Sequence, residues 1–284
     1  MQPLITSRRN PLVRRLRALA ARQGREEAGL LLLEGTHLLQ ELVPLLRDHP
    51  QPLELVATAA WLQRHQALLA SFRPAPTLQL VSEEVLKAAL TTVNPDGVAA
   101  LLPLDLLPHG PQAPTFALAL DRIQDPGNLG TLLRTALAAD VEMVWQGSGT
   151  DPLNPKVVRS SSGAVLRLPL QRFGPAEADG IEELKQALQR ARDHGLQVVA
   201  TLVPGAGGPL SVVPYWELDW RLPTVLVLGN EGRGLHPELL DCCTHGVTLP
   251  HSPAVEALNV ASAAVPLLLE RRRATMTAPS QQSG

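Results

Sequence analysis

Three apolar runs of strand length in this chain each end in a polar loop, and no other feature constrains the fold as much. The first loop follows Leu120 and reads Asp121-Arg122-Ile123-Gln124-Asp125-Pro126-Gly127-Asn128-Leu129-Gly130, with Arg134 one turn further on. The second follows Leu228 and reads Gly229-Asn230-Glu231-Gly232-Arg233-Gly234. The third runs from Leu249, holds Glu256, and leads into a helix opening near Ala257-Leu258-Asn259. Strand, polar turn and helix in alternation predict an α/β fold with a parallel sheet. Loops at the carboxyl ends of such strands are where ligands bind, so the three together form a candidate site.

The chain has 284 residues, enough for two domains. Pro103, Pro108, Gly110, Pro111 and Pro114 break regular structure between them. This predicts an N-terminal domain over residues 1–108, a second domain over 109–276, and a polar, flexible tail over 277–284. Strands are expected in the first domain at 29–33, 53–57, 77–81 and 98–102, alternating with helices. That pattern predicts a small sandwich with a largely parallel sheet. Asn10, followed by Pro11, and Ser82 are the expected helix caps. About six strands are expected in the second domain, at 115–120, 141–146, 165–170, 196–203, 224–228 and 246–249. A short helix from Asn154 to Ser162 is assigned to that domain.

The net charge of −2 argues against wholesale binding of a polyanion. Residues 1–25, however, hold Arg8, Arg9, Arg14, Arg15, Arg17, Arg22 and Arg25 and no Asp or Glu. Local basic density of this kind carries phosphate contacts, and a solvated charged face is the alternative. Arg8, Arg9, Arg14 and Arg15 are the candidate RNA contacts. Cys242 and Cys243 are adjacent and form no ordinary disulfide, which suggests a reducing compartment and a packing role. With no signal-peptide layout and no apolar run of membrane length, a cytoplasmic location is expected. The His residues lack metal-ligand spacing, so no metal is expected.

The first loop lacks both GxGxxG and GxxxxGK[ST], which disfavours nicotinamide and nucleoside-triphosphate sites. Ser160-Ser161-Ser162-Gly163 is not the hydrolase elbow. Taken singly, each loop also has a plain reading: a tight turn, a flexible glycine turn, a helix cap.

In order, LDRIQDPGNLGTLLRTA, LVLGNEGRGL and LPHSPAVEALNVASAA resemble the three motifs of SpoU-type (TrmH family) RNA 2′-O-ribose methyltransferases of the SPOUT superfamily. The resemblance covers about residues 115–270. The stretch from Ile5 to Gly35 is similar, more loosely, to the substrate-binding domain of ribosomal-RNA members. The resemblance implies a parallel-sheet SPOUT domain with a deep C-terminal trefoil knot and a smaller N-terminal α/β, ribosomal-protein-L30e-like domain. It implies S-adenosylmethionine as cofactor, held by Leu202, Leu228, Gly229, Gly234, Leu249 and Leu258. Arg134, Asn128, Glu231 and Asn259 match the catalytic and site-shaping residues. It also implies a homodimer through the knot helix, in which Pro266 is expected to introduce a kink. Ala257 stands where the family commonly has Ser. Three readings stay open: a methyltransferase for the ribose of 23S-type ribosomal RNA, one for transfer RNA, and an RNA-binding protein of this fold with weak or lost catalysis.

Overall fold

The computed structural model describes residues 3–174, 177–205 and 210–276, so the expected tail over 277–284 lies outside the described residues. By internal contacts the chain divides into two compact units, Met1–Pro108 with Asp151–Arg167, and His109–Thr150 with Leu168–Gly284.

In the first unit, α1 (Pro11–Ala18) and α2 (Arg22–Ala28) precede β1 (Leu30–Glu34), α3 (Thr36–Asp48) and β2 (Glu54–Ala57). Then come α4 (Ala59–Arg64), α5 (Gln66–Leu69), β3 (Thr77–Leu80), α6 (Glu83–Ala89) and β4 (Val98–Pro103). Both expected caps are present. Asn10 Oδ1 accepts from Leu12 N at 2.9 Å and Ser82 Oγ from Val85 N at 3.3 Å. Val13, Leu16 and Leu19 bury one face of the N-terminal helix against Val85, Leu86 and Leu101. The sheet order is β1-β4-β2-β3. Here the largely parallel sheet is overturned, because β4 runs antiparallel to both β1 and β2 and only β2–β3 is parallel. A fully buried apolar run such as residues 98–102 carries no direction in its pattern.

The arginine run is also less bare than its local sequence suggests. Arg15 makes a two-pronged pair with Glu54 at 2.9 and 3.0 Å, and Arg8 lies 3.7 Å from Glu84. Arg25 is only 2% exposed and donates to the carbonyls of Leu19 and Ala20 and to Asp151. Burial draws this guanidinium below its ordinary pKa, against the pull of Asp151.

The second unit opens with β5 (Phe116–Leu120), α7 (Pro126–Ala138) and β6 (Met143–Gln146). The next helix, α8 (Pro155–Ser160), belongs to the first unit with the rest of Asp151–Arg167, not to the second as the sequence order suggested. Ion pairs tie it there: Asp151 to Arg25, Arg159 to Glu34, and Arg167 to Glu41. No local periodicity reports such partners. Then follow β7 (Leu170–Arg172), α9 (Glu177–Asp193), β8 (Gln197–Thr201), β9 (Val212–Pro214), β10 (Thr224–Leu228), α10 (Pro237–Leu240), β11 (His245–Thr248) and α11 (Val260–Met276).

The sheet order is β7-β6-β5-β10-β8-β11-β9, and every pairing is parallel. Among the described residues, seven strands stand where about six were expected. The extra one is the short edge strand β9. The strand expected at 165–170 is instead a 3₁₀ turn over Ala164–Leu166, with β7 starting at Leu170. The central strands β5 and β10 are buried throughout, as parallel strands covered on both faces must be. On one face Ala117, Val198, Val225 and Val227 pack against Leu184 and Leu188 of α9, with Cys242 and Cys243 in the same cluster. Burial pushes the Cys243 thiol up to about 12, so it packs as a small hydrophobe. On α11, Ala264, Leu267 and Leu268 are buried, and this helix packs against α7.

Candidate functional site

Parallel strands place the loops after β5, β10 and β11 at one edge of the sheet, and hydrogen bonds then join them. Asp125 caps α7, its Oδ1 accepting from Asn128 N at 2.8 Å. Beneath the loop lies Asp121, fully buried, which accepts from Arg122 Nε and a terminal nitrogen (2.8 and 3.0 Å) and from His236 N (2.8 Å). Those bonds hold the Arg122 guanidinium above its ordinary pKa in spite of desolvation. Asn230 ties the second loop to the first by donating to Arg122 O at 2.8 Å. Its own Oδ1 accepts from Gly232 N and Arg233 N.

A polar chain runs across all three loops. Asn259 caps α11, its Oδ1 accepting from Ala261 N and Ser262 N at 3.0 and 3.1 Å. Its amide nitrogen is therefore the atom turned outward, and it donates to Asn128 Oδ1 at 2.9 Å. That leaves the Asn128 amide nitrogen to face Glu231, at 3.1 Å from Oε1. Glu231 also lies 3.4 Å from Gln124 N and 3.5 Å from Asp125 N. Capping at one end and a carboxylate at the other fix the orientation of both amides.

Beside this chain opens a cavity of about 690 Å³, within the usual range for small-molecule sites. Leu202, Leu228, Gly229, Gly234, Leu249 and Leu258 all line it, as do Glu231, Arg233, Glu256 and Ala257. Thr201 contributes a buried hydroxyl with no partner in the described structure. Gly229 is required by close approach, since a Cβ there would sit 2.4 Å from Leu235 N. Gly234 takes a left-handed conformation, φ 65°. Leucine walls, a bare backbone stretch and one unpaired hydroxyl suit a nucleoside-like ligand of mixed polarity.

The structure thus brings Asn128, Glu231 and Asn259 into one network. Arg134 lies on the exposed face of α7 with Thr131 and is not part of the cavity wall. Arg8, Arg9, Arg14 and Arg15 belong to the first unit. Asp121, Arg122, Asp125 and Thr201 were missed by the sequence reading. Only Asp125 left a local trace, as an Asp-Pro helix start. Among the described residues, no group of three or more His, Cys, Asp or Glu is placed to hold a metal ion.

The model of the SpoU rRNA Methylase family matches residues 115–268, and that of an MRM3-like substrate binding domain matches residues 10–100. The chain is 41% identical over 273 residues to a Synechocystis protein named as an uncharacterized tRNA/rRNA methyltransferase, covering 95% of this chain and 93% of the relative. It is 28% identical to the 23S rRNA (guanosine(2553)-2′-O)-methyltransferase RlmP of Bacillus subtilis, covering 94% and 98%. The crystal structure of an AdoMet-bound rRNA methyltransferase from Sinorhizobium meliloti superposes with a TM-score of 0.73 at 30% identity, covering 95% and 97% of the two chains.

Proposed function

From the premise that this chain belongs to the SpoU rRNA methylase family, we propose that it is an S-adenosylmethionine-dependent methyltransferase. Its substrate is a ribose 2′-hydroxyl in 23S-type ribosomal RNA. The observation that carries this reading is the placement of the cavity against the Glu231–Asn128–Asn259 chain. A site for a nucleoside-like donor and a set of polar groups for a second substrate therefore share one wall. Relatives named as 23S rRNA 2′-O-methyltransferases support the choice of substrate.

Leu202, Leu228, Leu249 and Leu258 would enclose the adenosyl part, and the loop from Gly229 to Gly234 would approach it through backbone. When bound, the cofactor supplies an electrophilic sulfonium methyl. Arg134 would hold an RNA phosphate beside the target ribose and stabilise the developing alkoxide. Asn128, Glu231 and Asn259 would fix the loops and the nucleotide. The knot characteristic of this fold and a homodimer through α11 belong to the same proposal. Val265 and Leu269, 38% and 41% exposed, offer that helix an apolar contact face. Sedimentation at the mass of a single chain would remove the dimer. A cytoplasmic location follows from the proposed substrate and is checked by fractionation.

Calorimetry with S-adenosylmethionine and transfer of labelled methyl to ribosomal RNA, with ribose-methylation mapping, test the function. Absence of binding at millimolar cofactor would sink the reading. Binding without transfer to any RNA would favour the non-catalytic reading, which Ala257 on the cavity wall motivates. Transfer to transfer RNA alone would reassign the substrate.

RNA contact by the N-terminal arginines is proposed in a narrower form than the sequence suggested. Arg9 and Arg14 make no ion pair among the described residues, whereas Arg8 and Arg15 have carboxylate partners. Replacing Arg9 and Arg14 together by Gln is expected to weaken RNA binding and lower the slope of log K against log salt by about two. The check is filter binding across a salt series. An unchanged slope would make the run a solvated face.

A further inference from the structure

We propose that Glu256 makes the cavity selective for the sulfonium cofactor over its uncharged thioether by-product, while Arg233 holds the carboxylate of either. The inference rests on the methyltransferase reading above. Three acidic or guanidinium side chains line the cavity: Glu231, Arg233 and Glu256. Glu231 is committed, since its carboxylate faces Asn128 Nδ2, Gln124 N and Asp125 N. Arg233 and Glu256 make no ion pair with each other or with any described residue. The wall therefore offers one cation, Arg233, and two carboxylates without a cationic partner, of which Glu231 already accepts from neutral N–H groups and Glu256 does not.

S-Adenosylmethionine presents a carboxylate, an ammonium and a sulfonium. S-Adenosylhomocysteine presents only the first two. The planar guanidinium of Arg233 matches the carboxylate. Glu256 is assigned to the sulfonium by its position. It lies three residues before Asn259, whose side chain bonds Asn128 of α7. It lines the same cavity as Glu231 of the polar chain, and the methyl must point toward that chain to meet a ribose hydroxyl. When the methyl leaves, the positive charge on sulfur disappears, and the attraction to Glu256 disappears with it. The by-product is then held more weakly than the donor.

The test is calorimetry on the full chain with S-adenosylmethionine, S-adenosylhomocysteine and 5′-methylthioadenosine, which lacks the amino-acid end. The wild type is expected to bind the sulfonium about 10-fold tighter than the by-product, the upper size of one charge-assisted contact at an exposed carboxylate of the cavity wall. Glu256→Gln should weaken the sulfonium by about 10-fold and the by-product by less than about twofold, collapsing the ratio. Glu256→Asp should retain part of the discrimination. Arg233→Gln should weaken both amino-acid-bearing ligands and leave 5′-methylthioadenosine unaffected. Equal loss for both ligands in Glu256→Gln would put Glu256 at the ammonium and overturn the assignment, and so would no loss at all. If none of the three probes bound the folded wild type, the methyltransferase reading itself would fail. Far-ultraviolet circular dichroism of each variant separates lost binding from lost folding.

Discussion

Arg134→Ala is expected to slow methyl transfer roughly 10²–10³-fold, the usual loss on removing a group that stabilises developing negative charge. Cofactor affinity should change little, because Arg134 is exposed on α7 and does not line the cavity. The argument starts from the substrate. A ribose hydroxyl ionises far above neutral pH, so its proton must depart as the oxygen attacks. The three loops contain no Lys, and the buried cysteines are held protonated, Cys243 at about 12. His251 turns one ring nitrogen to Leu249 O at 2.7 Å. His251 keeps its second ring nitrogen and lines the cavity, whereas Arg134 is the cation on the helix that also carries Asn128. A guanidinium is a poor base, so it acts by binding a phosphate next to the target ribose and by stabilising the alkoxide, with the phosphate a route for the proton. Arg134→Lys should rescue poorly, since a point charge lacks the planar fork. Single-turnover transfer at saturating cofactor is the measurement. A rate within about threefold of wild type for Arg134→Ala would take Arg134 out of the chemistry, against the loss expected for such a group.

Much of the second unit was legible because its signals are local. A buried apolar run gives β10 and periodicity over 181–194 gives most of α9, whereas α7 starts at Pro126 inside the stretch read as a loop, capped by Asp125. Strand direction in the first unit was not legible, since the buried run that forms β4 reads the same either way. The assignment of Asp151–Arg167 to the first unit depends on ion pairs such as Arg25–Asp151, between residues 126 positions apart. The arginine run looked unneutralised for the same reason, as Glu54 and Glu84 lie outside the window in which charges were compared.

The site shows the same division. Its three loops stood out by composition, but the bonds between them span 103 and 131 positions, and no spacing rule reaches that far. The six proposed cofactor contacts came from the family resemblance. The structure adds that their side chains or backbone face one cavity. Asp121 and Thr201 left no trace, because a polar residue at a strand end looks the same whether its partner is a loop, a ligand or water.

Glu231→Ala is expected to lower methyl transfer about 10²-fold while changing folding stability by no more than about 1 kcal/mol. The two effects separate because of where the carboxylate sits. Glu231 is exposed, so water can replace it for Gln124 N and Asp125 N, whose contacts at 3.4 and 3.5 Å are already long. The amide of Asn128 has no such substitute for its orientation. Asn259 is fixed by capping α11 and presents its amide nitrogen, so Asn128 must present oxygen on that side and nitrogen toward Glu231. Without the carboxylate the outer half of that arrangement is no longer held, and a misplacement of about 1 Å at a reacting centre costs about two orders of magnitude. Glu231→Gln keeps one acceptor oxygen for Asn128 and should recover part of the rate. If the three residues act as one chain, their losses do not add. The double variant Asn128→Ala with Glu231→Ala should then be about as slow as the slower single variant. Single-turnover rates for the cycle, with urea unfolding of each protein, decide the matter. Additive rate losses, or a stability loss large enough to unfold the single variant, would show that Glu231 braces the fold and does not orient Asn128.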